Sequence, residues 1–329
     1  MKSLNLIPES NGLHRVNMRE KLSILQWVKK ISIVLAVILL CGFIFQSLSN
    51  FVGNEQVRQR LNYVKIDYTI VFDGALGTNL YAWNDVCKSV EKELGVRTLV
   101  YNRDGYGFNT IRDKKDIASQ TEELRELIKK LGLTDNLILV GEEYGSLIMT
   151  NFAKEYPELV SGMVLIRPLS EEALKSKEFK KSIRWKYYKS KVEAVGASFG
   201  LTTLMDKLGL TYSIDGFEEN LPKGADEEFA VHKTKKNYRK AVSNELENLY
   251  KYNGETQIDN MFVDKPLYII TDNENDPVAK IGTSKLTTIY HTESEAGIIS
   301  STNNTSIESG ISIVLKEAKK IEKLASKSK

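Results

Sequence analysis

Apolar positions along the chain fall into three patterns, and each predicts a different element. The first is an unbroken run. No charged side chain occurs from Ile31 to Asn54, and residues 31–45 read ISIVLAVILLCGFIF. Extended through Leu48, Phe51 and Val52, the run reaches about 20 residues, the length at which a helix crosses a bilayer. A core helix is usually shorter and flanked by amphipathic pattern. The second pattern is the short apolar run: Tyr68–Phe72 closed by Asp73-Gly74, Arg97–Tyr101 closed by Asp104-Gly105, then Asn136–Val140, Gly162–Ile166, Pro266–Ile270 and Lys285–Tyr290. These read as buried strands. The third is helical spacing. Ile117, Leu124, Ile128 and Leu131 share one face of a helix from Asp116 that Gly132 stops, and residues 306–323 form a closing amphipathic helix.

Strands alternating with helices predict an α/β domain with a mostly parallel sheet, covered by helices on both faces. One stretch breaks the alternation. Residues 169–261 are charged and helical with no strand, and read as an insert. The chain then divides into 1–30, a cytoplasmic segment; 31–52, a transmembrane helix; 56–168, the first part of the core; 169–261, the helical insert; and 262–329, the second part of the core.

Charge decides how the first helix sits. Lys2, Arg15, Arg19, Lys21, Lys29 and Lys30 precede it, whereas the first basic residues after it are Arg58 and Arg60. An excess of Lys and Arg marks the cytoplasmic side, so the N-terminus is expected inside and the domain outside. A cleaved signal peptide would need an n-region of about thirty residues, and no A-x-A site follows the run. Leu40 is too bulky to precede a lipidated Cys41. The segment therefore reads as an uncleaved signal anchor in the cell membrane. The two cysteines, Cys41 in the apolar run and Cys87 in the domain, exclude a disulfide framework and cysteine-rich metal spacings. A net charge of +3 over 329 residues gives no argument for nucleic-acid binding. Eight basic residues stand between Lys175 and Lys191, with Trp185, Tyr187 and Tyr188 interleaved. This stretch is either a solvated helix face or a surface resting on anionic lipid. Residues 226–252 read as a charged outer helix.

Five passages, in order, carry a resemblance. Asp73-Gly-Ala-Leu-Gly77 with Asn79-Leu-Tyr-Ala-Trp83 resembles the oxyanion loop of α/β-hydrolases. Asn102-Arg-Asp-Gly-Tyr-Gly107 resembles that family's turn after the next strand. Leu137-Ile-Leu-Val-Gly-Glu-Glu-Tyr-Gly-Ser146 resembles the strand, elbow and helix that carry G-x-S-x-G. Tyr156–Ile166 resembles the following helix-to-strand passage, and Pro266–Pro277 the strand and loop that deliver the catalytic acid. The match spans residues 65–168 and 262–325, and the apolar, glycine-containing stretch Ala194–Leu210 resembles the family's cap helices over the pocket.

The resemblance implies a catalytic triad, and the sequence departs from it twice. Gly141 and Gly145 survive at the elbow, but the nucleophile position is Glu143. Asp in that place is an ester-forming nucleophile in epoxide-hydrolase-like relatives; Glu is one methylene longer. Ser146 lies past the elbow. The family's His belongs in the loop between Thr292 and Ser306, where none occurs; Ala296 or Ser301 takes its place. His14 and His232 lie elsewhere, and His291 ends the last strand a few residues early. Asp276 keeps the acid position, or is a plain Asp-Pro turn. Gly74 belongs to the oxyanion loop, and the backbone amides near Ala75 and Tyr144 would persist as oxyanion donors without any triad. The expected function is a non-catalytic binding or sensing domain at the cell surface. It would be held by membrane lipid around its N-terminal helix and take a small apolar or carbonyl-bearing ligand or a protein partner. The alternative is an esterase- or lipase-like hydrolase using Glu143 with Asp276 and His291. A third reading, a purely structural anchor, predicts a collapsed pocket. No cofactor or metal is implied.

Overall fold

The computed structural model describes residues 24–51, 59–61, 68–111, 113–214, 217–293 and 297–327. The N-terminal basic residues up to Lys21, Arg58 and Ala296 lie outside the described residues.

Each of the six apolar runs forms a strand: β2 (Thr69–Asp73), β3 (Arg97–Tyr101), β4 (Leu137–Glu142), β5 (Val160–Ile166), β6 (Leu267–Thr271) and β7 (Thr287–His291). A seventh, β1 (Gln59–Leu61), is too short to leave a pattern in the sequence and adds an antiparallel edge to β3. The order is β1-β3-β2-β4-β5-β6-β7, parallel from β3 to β7. Every residue of β2, β4 and β6 is buried, which explains why those strands read as continuous hydrophobic runs and not as alternating ones.

Two helix pairs cover the sheet. α2 (Asn84–Leu94) packs against α11 (Asn304–Lys327), which lies across β5 and β6, and α3 (Ile117–Lys130) packs against α4 (Tyr144–Glu155). Asp116 starts α3 as its N-cap, accepting from the Ser119 amide at 2.8 Å. Strand order runs outward from β2 through β3 on one side and from β4 onward on the other. Strand order thus reverses between β2 and β4, the place where an open α/β sheet binds ligands at the carboxyl ends of its strands.

Between β5 and β6 the described residues hold helices and no strand: α5 (Glu171–Lys175), α6 (Lys177–Gly196), α7 (Leu201–Lys207), α8 (Ala225–His232) and α9 (Lys236–Tyr250). α6 and α9 are its spine. Buried Glu193 of α6 faces buried Arg239 of α9: Arg239 Nη1 donates to Glu193 Oε2 at 3.1 Å and to the Tyr212 carbonyl at 3.0 Å. The single charged outer helix expected over 226–252 is two helices instead, and the second is internal. Tyr238, Val242 and Leu246 sit in the core, and Arg239 and Glu245 of α9 turn inward because each meets a buried partner, whereas Lys240 is exposed. Within the apolar stretch 194–210, Phe199, Leu201, Leu204, Leu208 and Leu210 are exposed.

At the N-terminus α1 (Ile24–Phe51) carries a 22-residue apolar stretch, Gln26–Ser47, long and apolar enough to cross a membrane. It meets the insert at the 3-10 turn Ala197–Phe199. The short helix α10 (Ile299–Thr302) lies between β7 and α11.

β2 and the start of α4 approach each other backbone to backbone. A Cβ on Gly145 would fall against the carbonyl oxygens of Asp73 and Gly74, so the side chain must be hydrogen. Gly145→Ala is expected to lower stability by about 1–3 kcal/mol, the scale of overpacking a rigid site, as read by urea denaturation. An unchanged midpoint would mean the two backbones can separate.

Candidate active site at the strand-to-helix elbow

The turn from β4 into α4 is sharp. Glu143 adopts φ 47° and ψ −107°, in the left-handed φ range that non-glycine residues seldom occupy. Three hydrogen bonds impose it: Glu143 N to the Ile166 carbonyl at 2.9 Å, Gly145 N to the Gly74 carbonyl at 3.1 Å, and Ser146 N to the Glu143 carbonyl at 3.0 Å. The turn is possible because Gly141 and Gly145 flank it; a Cβ on Gly141 would lie 2.9 Å from Ser146 Cα. Ser146 is fully buried. Its hydroxyl donates to the Glu143 carbonyl at 2.5 Å and accepts from the Leu169 amide at 3.1 Å, a structural role.

Glu143 therefore stands at the apex of the elbow, in the crevice where strand order reverses. Its carboxylate accepts from Arg167 Nη2 at 2.8 Å, and the same Nη2 donates to the carbonyl of Gly297, in the loop after β7. Arg167 reaches that point from the end of β5 with φ 41°. One guanidinium thus spans the gap from the elbow to the far loop. Desolvation pushes the Glu143 carboxyl above its ordinary range, and the charges of Arg167 and Lys186 oppose that push.

Glu142, one residue earlier, points the other way and is wholly buried. Its carboxylate accepts from the Ile299 amide at 2.7 Å, the Ser300 amide at 3.3 Å and the Ser300 hydroxyl at 2.5 Å. It holds the start of α10. Burial, and then the neighbouring Glu143 charge, push its pKa up to about 7.

The oxyanion loop is fixed from beneath. Buried Arg103 donates through Nη1 to the Gly74 carbonyl at 2.9 Å and through Nη2 to the Ala75 carbonyl at 3.0 Å, pairs with Asp73, and reaches Glu245 of α9 through Nε at 2.8 Å. Tyr106 adds a hydrogen bond to Glu245 at 2.6 Å, and Tyr101 one to Asp73 at 2.7 Å. Gly74, Ala75 and Tyr144 are all buried around the elbow.

The other two expected residues have separate surroundings. Asp276 is buried and N-caps the turn Pro277–Ile281, accepting from the Val278 amide at 2.9 Å; burial pushes its pKa up. His291 is the last residue of β7 and is exposed. β5 and β6 lie between β4 and β7, so three strand spacings, about 14 Å, separate the two strand ends. The Glu143 carboxylate meets Arg167, whereas Asp276 meets the Val278 amide in its own loop and Thr271 at the end of β6. A cavity of about 530 Å³ lies away from the elbow, between α3 and the end of α9, and is lined by Asp116, Asn151, Glu247, Lys251 and Tyr252 among others. Arg167, Glu142 and Glu245 carried no sequence signal, because their partners lie 24 to 158 residues away along the chain. Arg103 did stand inside a recognised motif, and its burial is what assigns its role.

The alpha/beta hydrolase fold family matches residues 68–283 of this chain. The uncharacterized protein YqjL of Bacillus subtilis (strain 168) is 31% identical over 101 residues, 30% of this chain; the match spans 39% of that protein's length. Among solved structures, an epoxide hydrolase from Bacillus megaterium superposes with a TM-score of 0.58 at 13% identity, covering 78% of this chain and 96% of its own. A thermophilic esterase from Thermogutta terrifontis gives 0.56 at 13%, over 80% and 99%. An enol-lactonase from Burkholderia xenovorans gives 0.54 at 16%, over 78% and 95%. At such identities the likeness establishes the fold.

Glu142 makes the stability of the elbow depend on pH. Its folded pKa, about 7, lies above the ordinary 4.5, so between those values the folded state holds the proton more firmly than the unfolded chain. This contribution is complete below about pH 4.5, is lost as pH rises to about 7, and stays lost above. Comparing wild type with Glu142→Gln at about pH 5 and about pH 8 should show the wild type losing on the order of 1–3 kcal/mol relative to the variant. Parallel stability curves would show that Glu142 is ionised throughout.

Proposed function

Since the chain belongs to the α/β-hydrolase fold family, we propose that it works as a non-catalytic binding domain held at a membrane by α1. One observation carries this reading: the Glu143 carboxylate is paired with Arg167, which also binds the loop after β7. Acyl transfer in this family needs a nucleophile touching a base that an acid orients. Guanidinium stays protonated in proteins and cannot accept a proton, so Arg167 does not serve as that base. An ion pair occupies the place where a nucleophile and its base would meet. The crevice keeps its form because glycines and backbone hydrogen bonds build it. A ligand with a carbonyl or anionic group would find Arg167 and the amides near Ala75 and Tyr144, under a cap formed by the helical insert.

The test is hydrolysis of p-nitrophenyl esters and of an aryl epoxide by the full chain in detergent. Wild type should turn over neither above buffer, and Glu143→Gln should behave the same. Wild-type turnover that disappears in Glu143→Gln would overturn the reading and establish a Glu-dependent hydrolase.

The membrane part rests on the apolar stretch of α1 and the basic residues before it. With the N-terminus in the cytoplasm and the helix retained, protease added to intact cells should digest the domain and spare the first thirty or so residues. Digestion only after lysis would reverse the orientation, and a mature chain beginning beyond residue 47 would make the helix a cleaved signal.

A further inference from the structure

The outer face of the insert carries an ordered stripe that the fold leaves uncovered. Along α6 and the turn after it, Lys177, Lys181, Arg184, Tyr188, Val192, Val195 and Phe199 are all exposed. They recur every three or four residues and so share one helix face. The opposite face, with Tyr187, Ser190, Glu193 and Gly196, is buried against the rest of the insert. Trp185 borders the stripe and is 76% exposed. α7 and its end extend the stripe with Leu201, Leu204, Leu208 and Leu210, every one exposed. Soluble surfaces scatter such residues singly; a contiguous set marks an interaction site.

The stripe has a direction. It begins basic, passes through Trp185 and Tyr188, and ends in Val192, Val195, Phe199 and the leucines of α7. Head groups, interface and hydrocarbon favour side chains in that same sequence.

The apolar end also touches α1. Leu39, Gly42 and Gln46 are the less exposed positions of that helix and share one face. On it, Gly42 meets the backbone of Phe199 and Gly200 so closely that a Cβ would strike the Phe199 carbonyl, and the Phe43 and Phe199 rings lie 6.3 Å apart. Gly42 is five residues before Ser47, the end of the apolar stretch. At 1.5 Å per residue that is about 7 Å inside it, within the depth of about 5–10 Å to which interfacial helices bury their apolar faces.

We propose that the exposed stripe of α6 and α7 is a second membrane contact, seated in the lipid leaflet beside α1, with its basic end on anionic head groups and its apolar end in the acyl region. This rests on the reading of α1 as a membrane helix. The bilayer is the occupant because the stripe is continuous with α1 at a level inside its apolar stretch. The insert is then a monotopic element as well as a cap, and its position over the elbow is set by the membrane.

Depth-dependent quenching on the full chain tests this. Cys87 is buried with its thiol pushed up to about 12, so it takes little maleimide. In a Cys41→Ser background, single cysteines at Val195, Leu204, Lys181, Val37 and the exposed Leu324, near the end of α11 beside the start of β2, carry a fluorophore. The protein is reconstituted in phosphatidylcholine–phosphatidylglycerol vesicles containing a lipid with a nitroxide either mid-chain or on the head group. Labels at Val195→Cys and Leu204→Cys should lose about half their emission or more to the mid-chain nitroxide, as Val37→Cys does. Lys181→Cys should respond to the head-group nitroxide and Leu324→Cys to neither. Quenching at Val37→Cys without quenching at Val195→Cys and Leu204→Cys would overturn the second contact and leave the anchor standing. Absence of quenching at Val37→Cys would remove the anchor itself and this inference with it. Labels at Val195→Cys and Leu204→Cys that are shielded from water but unaffected by either nitroxide would mean that protein, such as a second copy, covers the stripe.

Discussion

Arg103 is buried, and a guanidinium keeps its charge, so its donors must be satisfied within the protein. Its partners are drawn from three layers of the molecule: Asp73 at the end of β2, the Gly74 and Ala75 carbonyls in the loop that follows, and Glu245 on α9 of the insert. Two carboxylates share one guanidinium, with Tyr101 and Tyr106 donating to the remaining lone pairs. Losing Arg103 would leave two buried carboxylates without their cation, at a cost of about 3–5 kcal/mol. The network therefore fixes where the insert sits over the sheet and how the loop after β2 is turned.

The elbow's shape does not depend on the residue at its apex. Its geometry comes from two glycines that let β2 and α4 touch and from backbone hydrogen bonds to Gly74 and Ile166. None of these needs a particular side chain at the apex. Glu143 consequently takes a strained conformation while its carboxylate serves an ion pair. A fold can therefore persist whichever side chain stands there.

Much of this was legible in the sequence, for definite reasons. The inner strands were readable because a parallel sheet covered on both faces makes each a continuous apolar run, whereas edge strand β7 is mostly exposed; the elbow was readable because its glycines have no substitute. The absence of a histidine between Thr292 and Ser306 needed only counting. β1 escaped because three residues make no pattern. α9 looks like an outer helix in the sequence because nothing local distinguishes its buried charges, Arg239 paired with Glu193 and Glu245 with Arg103, from exposed Lys240. Arg167 was invisible because nothing local marks an arginine that reaches across the crevice. Positive φ at that position is a property of the fold, not of the residue.

Adjacent carboxylates at the end of β4 explain how the loop after β7 is held. Glu142 and Glu143 point to different partners: Glu142 takes the amides of Ile299 and Ser300, while Glu143 holds Arg167, which takes the Gly297 carbonyl. The loop is thus tied at two places within four residues, both ties leading back to the same turn. In relatives that loop must present a histidine at a fixed distance from the nucleophile. Here the same constraint is met by a carboxylate beneath and an ion pair above. Repulsion between the two acids is relieved differently on the two sides: Arg167 balances the partly exposed Glu143, whereas buried Glu142, without a cation of its own among its hydrogen-bond partners, has its pKa pushed up toward neutrality. A turn whose two carboxylates both hold the loop after β7 is built to keep one shape.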